Sequence, residues 1–384
     1  MKPTEIESCH PDRQLIDTSA ELEKICTKIE ATGRVAVDTE FVWERTYYPN
    51  LGIVQLALDE KEAWLLDMPA LQGKLDPLGR ILANPEIEKI IHDAKQDLTI
   101  LRQATGFYPK NIFDTRLAAG FIGSLATLSL LDTCAIFANQ VLNKGETRSN
   151  WLQRPLTAKQ FQYALDDVLF LPLIRDEIMS QAEKLDRDEW IVEEMKLYDN
   201  PVLYNDPNAE QVYIKVKGAS RLNRKELAVL LKLAAWREQT ACLRNRPRRH
   251  IISDESLLRI SQCMPQDREN LKQNCALSLR ASQRYGEELL HTVKEGLQMP
   301  EADFPELIKR SRNPKIADNS RKLMELISDI GETHNLDSAL IATRKDIENV
   351  LTKTDQTTIK NARLLQGWRF KLVGEKVISL LTAD

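Results

Sequence analysis

The stretch Val35-Ala36-Val37-Asp38-Thr39-Glu40-Phe41 decides the reading of this chain: its apolar, β-branched residues predict a buried strand, yet two acids sit inside it. Side chains alternate faces along a strand, so Asp38 and Glu40 point the same way. Two carboxylates held close together away from bulk water suppress each other's ionisation unless a cation lies between them. Oxygen donors alone suit a hard divalent ion such as Mg²⁺. The strand therefore predicts a metal centre whose remaining ligands come from elsewhere in the chain.

Working outward, Asp17-Thr18-Ser19 ahead of the apolar period Leu22, Ile25, Cys26, Ile29 predicts a capped helix that Gly33 ends. After the acidic strand, Ile53 to Leu58 and Ala63 to Asp67 predict two more strands joined by a turn at Asp59 to Glu62, which completes an antiparallel meander. Beyond it a helix is expected over Leu75 to Asn84, a strand over Ile87 to His92, a helix over Ala94 to Thr105 and a short strand at Ile112 to Asp114. Helices follow as far as Leu142. Strands first, then strand and helix in alternation, predict a mixed sheet flanked by helices.

Two further stretches carry candidate ligands. Asp97 falls in the first turn of a helix that follows a strand, where open α/β sheets present ligand-binding groups and where a carboxylate also serves as a capping device. Asp93 competes for the same role. Asp97 is preferred because Ile100 and Leu101 continue the helix behind it, whereas Asp93 reads as the N-cap. After Trp151-Leu152-Gln153-Arg154-Pro155-Leu156, Thr157 is a candidate N-cap for a helix bearing Tyr163 and Asp167, which at four residues apart share one face. Such a pair places a phenol beside a metal site, or is a core tyrosine with an exposed acid. Asp166 points about 100° away and is expected to face solvent.

Composition bounds the class. At 384 residues and 42% hydrophobic, the chain holds two or three domains, each with its own core. No apolar run approaches the ~20 residues of a membrane helix, and Met1 to Arg13 lack the apolar core of a signal peptide, so no membrane association and a cytoplasmic location are expected. The six cysteines show no metal-ligand spacing and read as free, buried thiols. The net charge of −4 is unevenly divided, with −11 over residues 1–200 and +7 over residues 201–384. That division suggests a metal-holding half and a half that meets a polyanion.

A linker from Asn200-Pro201 to Asp206-Pro207-Asn208 separates the halves. Lys215 to Arg249 carries eleven Lys and Arg against two acids, while Leu227, Val229, Leu230, Leu233 and Ala234 keep it a packed helix. More helices follow over residues 300–384, broken at Pro300, Pro305 and Asn313-Pro314.

In combination, Asp38-x-Glu40, His92-Asp93-x3-Asp97 and Tyr163-x3-Asp167 resemble the three motifs of the DEDD 3′-to-5′ exonuclease superfamily, in its tyrosine-containing branch. The flanking Asp38-Thr39-Glu40-Phe41, Tyr47-Tyr48-Pro49, Gly52-x2-Gln55-Leu56 and Trp151-x2-Arg154-Pro155-Leu156 resemble the bacterial ribonuclease D family over residues 12–195. Lys95-Gln96 before Asp97 departs from the Asn or Phe that many relatives carry. Leu233-x2-Trp236-Arg237, Asn245-Arg246-Pro247, Leu257-Leu258 and Arg284-Tyr285-Gly286 resemble the helicase-and-ribonuclease-D C-terminal (HRDC) domain, a small helical bundle that binds nucleic acid. Arg344-Lys345-Asp346-Ile347-Glu348 and Gln366-Gly367-Trp368-Arg369 suggest a second, diverged copy.

The resemblance implies a multidomain α/β plus all-α protein: a ribonuclease H-like exonuclease domain over 1–205, a first HRDC bundle over 210–295 and a second, HRDC-like, over 300–384. It implies a two-metal exoribonuclease, using Mg²⁺ or Mn²⁺, that releases mononucleotides from RNA 3′ ends, including those of precursor transfer RNA. Asp38, Glu40, Asp97 and Asp167 are the expected metal ligands and Tyr163 orients the nucleophile, since a phenol with a pKa near 10 is a poor base. A monomer is expected, because nothing reads as a coiled coil or swapped arm.

Overall fold

The structure is a computed structural model that describes residues 15–142, 145–146, 148–308, 314–352 and 362–382. Residues 1–42, 51–205 and 313–384 form one compact unit, and residues 43–50 and 206–312 a second.

The first unit is built on a six-stranded sheet. Its strands are β1 (Leu15–Ile16), β2 (Arg34–Val42), β3 (Asn50–Ala57), β4 (Ala63–Asp67), β5 (Glu88–Ile91) and β6 (Ile112–Asp114), in the spatial order β1-β4-β3-β2-β5-β6. β3 and β4 are antiparallel, whereas β1 with β4, β2 with β5 and β5 with β6 are parallel, which gives the expected mixed sheet. β1 was not anticipated, because two residues are too few to show a period.

The alternation along β2 sorts the two faces. Val35 and Val37 join a core with Leu22, Ile25 and Ile29 of α1 (Ser19–Thr32), Leu78 of α2 (Asp76–Ala83), and Leu98 and Leu101 of α3 (Lys95–Thr105). Ala36, on the opposite face, packs in the core of Leu165 and Val168 of α6 (Ala158–Leu169) and Ile174 and Ile178 of α7 (Leu171–Lys184). Between α3 and α6 lie the short helices α4 (Thr115–Ala119) and α5 (Leu130–Thr133). Thr18 caps α1 by accepting from the Glu21 N–H, and Gly33, at φ 70°, closes the helix in the left-handed region that glycine tolerates.

The carboxy-terminal helices α14 (Pro314–His334), α15 (Ser338–Ile341) and α16 (Arg344–Thr352) belong to this same unit. Glu194, in α8 (Asp188–Met195), is 2% exposed and accepts from Arg369 Nη1 at 2.6 Å, Arg369 Nη2 at 2.9 Å and Arg363 Nη2 at 2.6 Å. Trp368 is stacked on Trp190 with ring centroids 5.4 Å apart and meets Phe121 edge-on. Residues 300–308, which the sequence groups with the helices after them, fall in the second unit.

In the second unit the helices α9 (Arg224–Leu243), α10 (Arg248–Ile251), α11 (Asp254–Cys263), α12 (Arg268–Asn274) and α13 (Leu279–Leu297) enclose Leu227, Leu230, Leu233, Ile260, Leu289 and Val293. Asn223 and Glu226 form a reciprocal capping box at the start of α9. Tyr47-Tyr48-Pro49 is built into this unit. The Tyr47 hydroxyl donates to Glu238, and Asn245 Oδ1 accepts from the N–H groups of Tyr47 and Tyr48 at 2.9 and 3.1 Å.

Among the described cysteines, Cys26, Cys134 and Cys275 are buried, Cys242 is half-buried and Cys263 is exposed, all as free thiols. Cys9 lies outside the described residues. No helix among the described residues is long and apolar enough to cross a membrane.

Candidate active site

Ala36, Asp38 and Glu40 share one face of β2, and α6 packs across that face. Thr157 caps α6, with Gln160 returning the bond to complete a capping box, so the helix starts at a fixed point. The loop before it is clamped to the sheet by Arg154. Its Nε and Nη2 donate to the two oxygens of Asp67 at 2.7 and 2.9 Å, Nη2 also to the Gly52 carbonyl at 3.0 Å, and Nη1 to the Trp151 carbonyl at 2.9 Å. A side chain at Gly52 would put its Cβ 2.4 Å from the Trp151 carbonyl oxygen, so only glycine lets this loop lie so close to β3. Gly52, Trp151 and Arg154, far apart in sequence, thus form one anchorage for α6.

From that anchorage Asp167 reaches β2. Carboxylate oxygens of Asp38, Glu40 and Asp167 all lie within 4.8 Å of one another. Tyr163, one turn earlier on the same face, points its hydroxyl toward Asp167 and rests against the Trp151 ring with centroids 6.0 Å apart. Asp166 is turned aside and accepts from Gln162 Nε2 at 2.7 Å; it is half-buried rather than facing solvent as expected, because the Gln162 side chain lies along it.

Asp97 arrives from the other side of the sheet. β5 runs parallel to β2, with Ala36 opposite Ile90, so the helix that follows β5 begins beside the carboxyl end of β2. α3 packs with Val35 and Val37, the face that Thr39 shares by alternation, and Asp97 Oδ1 accepts a hydrogen bond from the Thr39 hydroxyl. Asp97 stands outside the close trio, yet it is the first of the charges felt by Asp38, ahead of Asp167 and Glu40.

Asp93 is not the N-cap of α3, as the sequence suggested. The cap position is Ala94, and Asp93 adopts φ 62° with its carboxylate paired to Arg116. Its N–H and that of Ala94 donate to the two oxygens of Asp114, which takes over the capping that Asp93 was expected to perform.

The electrostatics follow from burial and crowding. Desolvation, then Asp97, Asp167 and Glu40, hold the Asp38 carboxyl well above the ordinary range. Desolvation followed by Asp167 and Asp97 pushes Glu40 up to about 9. Burial, joined by Asp166, takes Asp167 to about 7. Burial takes Asp97 to about 6 against the lowering effect of the Thr39 hydroxyl. Among the described residues no Lys or Arg forms an ion pair with any of these four acids. Burial and the neighbouring carboxylates also raise the Tyr163 phenol, so it stays protonated and acts as a donor.

Two residues touching the acids escaped the sequence reading as actors. Thr39 sits between the two motif acids and holds Asp97. Gln55 on β3 is fully buried, donates from Nε2 to Asp38 Oδ2 at 3.4 Å and leaves its buried Oε1 without a protein partner. A wholly buried amide in an otherwise apolar strand was the available signal for Gln55.

The mixed sheet with its carboxylates converging at the carboxyl end of a central strand is a nuclease-like arrangement, and a 3′-5′ exonuclease family model matches residues 13–183, the span that holds it. An HRDC domain model matches residues 226–293, and a model of the ribonuclease D C-terminal HRDC domain matches residues 314–377. The ribonuclease D of Desulfotalea psychrophila is 41% identical, with 92% of this chain and 95% of that protein covered. That of Pseudomonas paraeruginosa is 31% identical over 97% and 98%. The crystal structure of Escherichia coli RNase D, described as an exoribonuclease involved in structured RNA processing, superposes with a TM-score of 0.87 at 29% identity, covering 97% of this chain and 99% of the other. The chain belongs to the ribonuclease D family and is a 3′-5′ exoribonuclease, a phosphodiester hydrolase.

Proposed function

We propose that this exoribonuclease depends on two divalent ions, Mg²⁺ or Mn²⁺, and releases mononucleotides from RNA 3′ ends, those of precursor transfer RNA among them, as a monomer in the cytoplasm. One observation carries the reading: the trio Asp38, Glu40 and Asp167 within 4.8 Å, without a neighbouring cation among the described residues. An all-oxygen donor set of that charge fits a hard divalent ion. Asp38, Glu40, Asp97 and Asp167 would hold the ions, and Asp38 feels the charge of each of the other three. Such an ion pair, when bound, supplies Lewis acidity for deprotonating water and for stabilising the departing 3′ oxygen.

The side chains provide the rest. Tyr163, kept protonated beside Asp167, orients the attacking water through its hydroxyl rather than accepting a proton from it.

The test compares labelled RNA and matched DNA strands incubated with Mg²⁺, with chelator, and with Asp38→Asn. RNA should shorten from its 3′ end one nucleotide at a time, and chelation or the substitution should stop it while the melting temperature of Asp38→Asn stays at or above the parent's. Undiminished shortening by Asp38→Asn would refute the site, and preference for DNA would refute the substrate class.

A further inference from the structure

We propose that Cys263 and Cys275, the thiols at the ends of α11 and α12, are a modification site: a hydroperoxide joins them in a reversible disulfide that staples the corner between these two helices of the second unit. Neither the chemistry of the pair nor its test needs the metal centre or RNA.

The two cysteines are twelve positions apart, and the fold brings them back to each other. Cys263 is the last residue of α11, where Met264 turns the chain at φ 45° and its N–H closes the helix on the Ile260 carbonyl at 2.9 Å. Asp267 then starts α12 by accepting from the Asn270 N–H at 2.8 Å. Cys275 follows the last residue of α12, and Ala276 turns the chain a second time at φ 49°. Ser256, Ile260 and Cys263, at i, i+4 and i+7, form one stripe along α11. From that stripe the Cys263 thiol donates to the Asn274 carbonyl at 3.6 Å, and the Ser256 hydroxyl donates to the Ala276 carbonyl at 2.9 Å. The residues on either side of Cys275 are therefore both held to α11, with Cys263 one peptide away. Cys242, the remaining cysteine of this unit, meets the Tyr48 hydroxyl at 3.0 Å instead of a thiol.

The pair is asymmetric. Cys263 is exposed, whereas Cys275 is fully buried in the core of Leu257, Ile260 and Leu271. Burial, and then Cys263, push the Cys275 thiol up to about 12, so it resists direct oxidation and the oxidant enters at Cys263. The Cys263 thiolate attacks one oxygen of hydrogen peroxide; the O–O bond breaks, the departing hydroxide takes up a proton to become water, and Cys263 is left as the sulfenic acid. The Cys275 thiolate then attacks the Cys263 sulfur. The S–S bond forms, the S–O bond breaks, and the second hydroxide leaves as water with the Cys275 proton. Two thiols and one peroxide thus give one disulfide and two waters. Because one sulfur is at the surface, small thiols can reopen the bond by exchange. Closing the twelve-residue span removes freedom from the opened chain and so disfavours local opening of α12.

The full chain, reduced and then freed of thiol, is treated with equimolar hydrogen peroxide, alkylated and cut with trypsin without reduction. Cleavage after Arg259, Arg268, Lys272 and Arg280 puts the cysteines on separate peptides, 260–268 and 273–280, so the bond appears as these two joined and lighter by two hydrogens than their sum. Amide hydrogen exchange over residues 264–275 should slow several-fold in the oxidised chain and return to its former rate with dithiothreitol. Cys263→Ser, a change at an exposed position, should give no joined peptides and no response of exchange to peroxide. Cys275→Ala should leave Cys263 to proceed to sulfinic acid; if that core variant does not melt cooperatively, Cys263→Ser decides alone. Unjoined peptides in the parent with Cys263 as sulfinic acid would overturn the pairing, as would Cys263 joined to a second copy of the chain in a dimer that reductant dissolves. A joined pair whose exchange stays as fast as in the reduced chain would overturn the staple, and a response that persists in Cys263→Ser would place the oxidation elsewhere.

Discussion

At the scale of single residues, the acids depend on neighbours that carry no charge. Thr39 donates to Asp97 and Gln55 to Asp38, and partners of this kind hold metal-binding side chains in orientation, at a typical cost of 10 to 100-fold when removed. Thr39→Val and Gln55→Met keep volume and remove the donor. Each is expected to weaken Mn²⁺ binding, measured by titration calorimetry without RNA, about tenfold, and to lower kcat with KM for RNA unchanged. A loss of melting temperature with parent-like Mn²⁺ affinity would assign these residues to folding alone. Asp38 and Glu40 were legible in sequence because alternation along a strand forces them together. The Thr39 to Asp97 bond was not, since it links opposite registers across the edge of a sheet and nothing in the spacing of a strand and a distant helix encodes it. Asp93 misled for a related reason: an acid before a helix suggests a cap, and only the tertiary approach of Asp114 shows that the capping is done from β6.

At the scale of elements, the helix pattern was legible almost throughout, but which elements pack together was not. The sequence separates the carboxy-terminal helices from the sheet by Pro-containing breaks, yet Glu194 of α8 lies between Arg363 and Arg369 and against Trp368, so these helices share the core of the first unit. The partners are single side chains more than 160 positions apart, which no local period reveals. Removing the acid from such a group leaves buried guanidinium charge uncompensated, a cost of about 3 to 5 kcal/mol. Glu194→Gln is therefore expected to lower the unfolding free energy of the first unit by that order, measured by denaturant titration followed through tryptophan fluorescence. The pH dependence has a definite sign. The arginines hold the Glu194 carboxyl below its ordinary range, so its contribution is present above the unfolded-state pKa and is lost as pH falls through the folded one. The parent should lose stability on acidification more steeply than Glu194→Gln.

At the scale of the whole molecule, the uneven charge division read from the sequence corresponds to two different uses of charge. Among the described residues the second unit leaves arginines without ion-pair partners, while the first concentrates acids whose burial favours their protonated form. Asp97 at about 6, Asp167 at about 7 and Glu40 at about 9 all titrate above the roughly 4 of an unfolded carboxyl. From about pH 4 upward the unfolded chain gives up protons that the fold retains, so the metal-free protein loses stability as pH rises through the span of those raised values. On the proposed assignment a divalent ion would take the place of the protons and bind only the folded site, so it would return stability by mass action, and more where more of the acids must otherwise ionise. Melting curves in chelator should therefore shift downward from pH 5.5 to 9, and the gain on adding Mn²⁺ should grow across the same interval. Asp167→Asn should flatten the chelator series and forfeit most of the Mn²⁺ gain. A gain independent of pH, or one that survives in Asp167→Asn, would place the ion somewhere other than among these carboxylates.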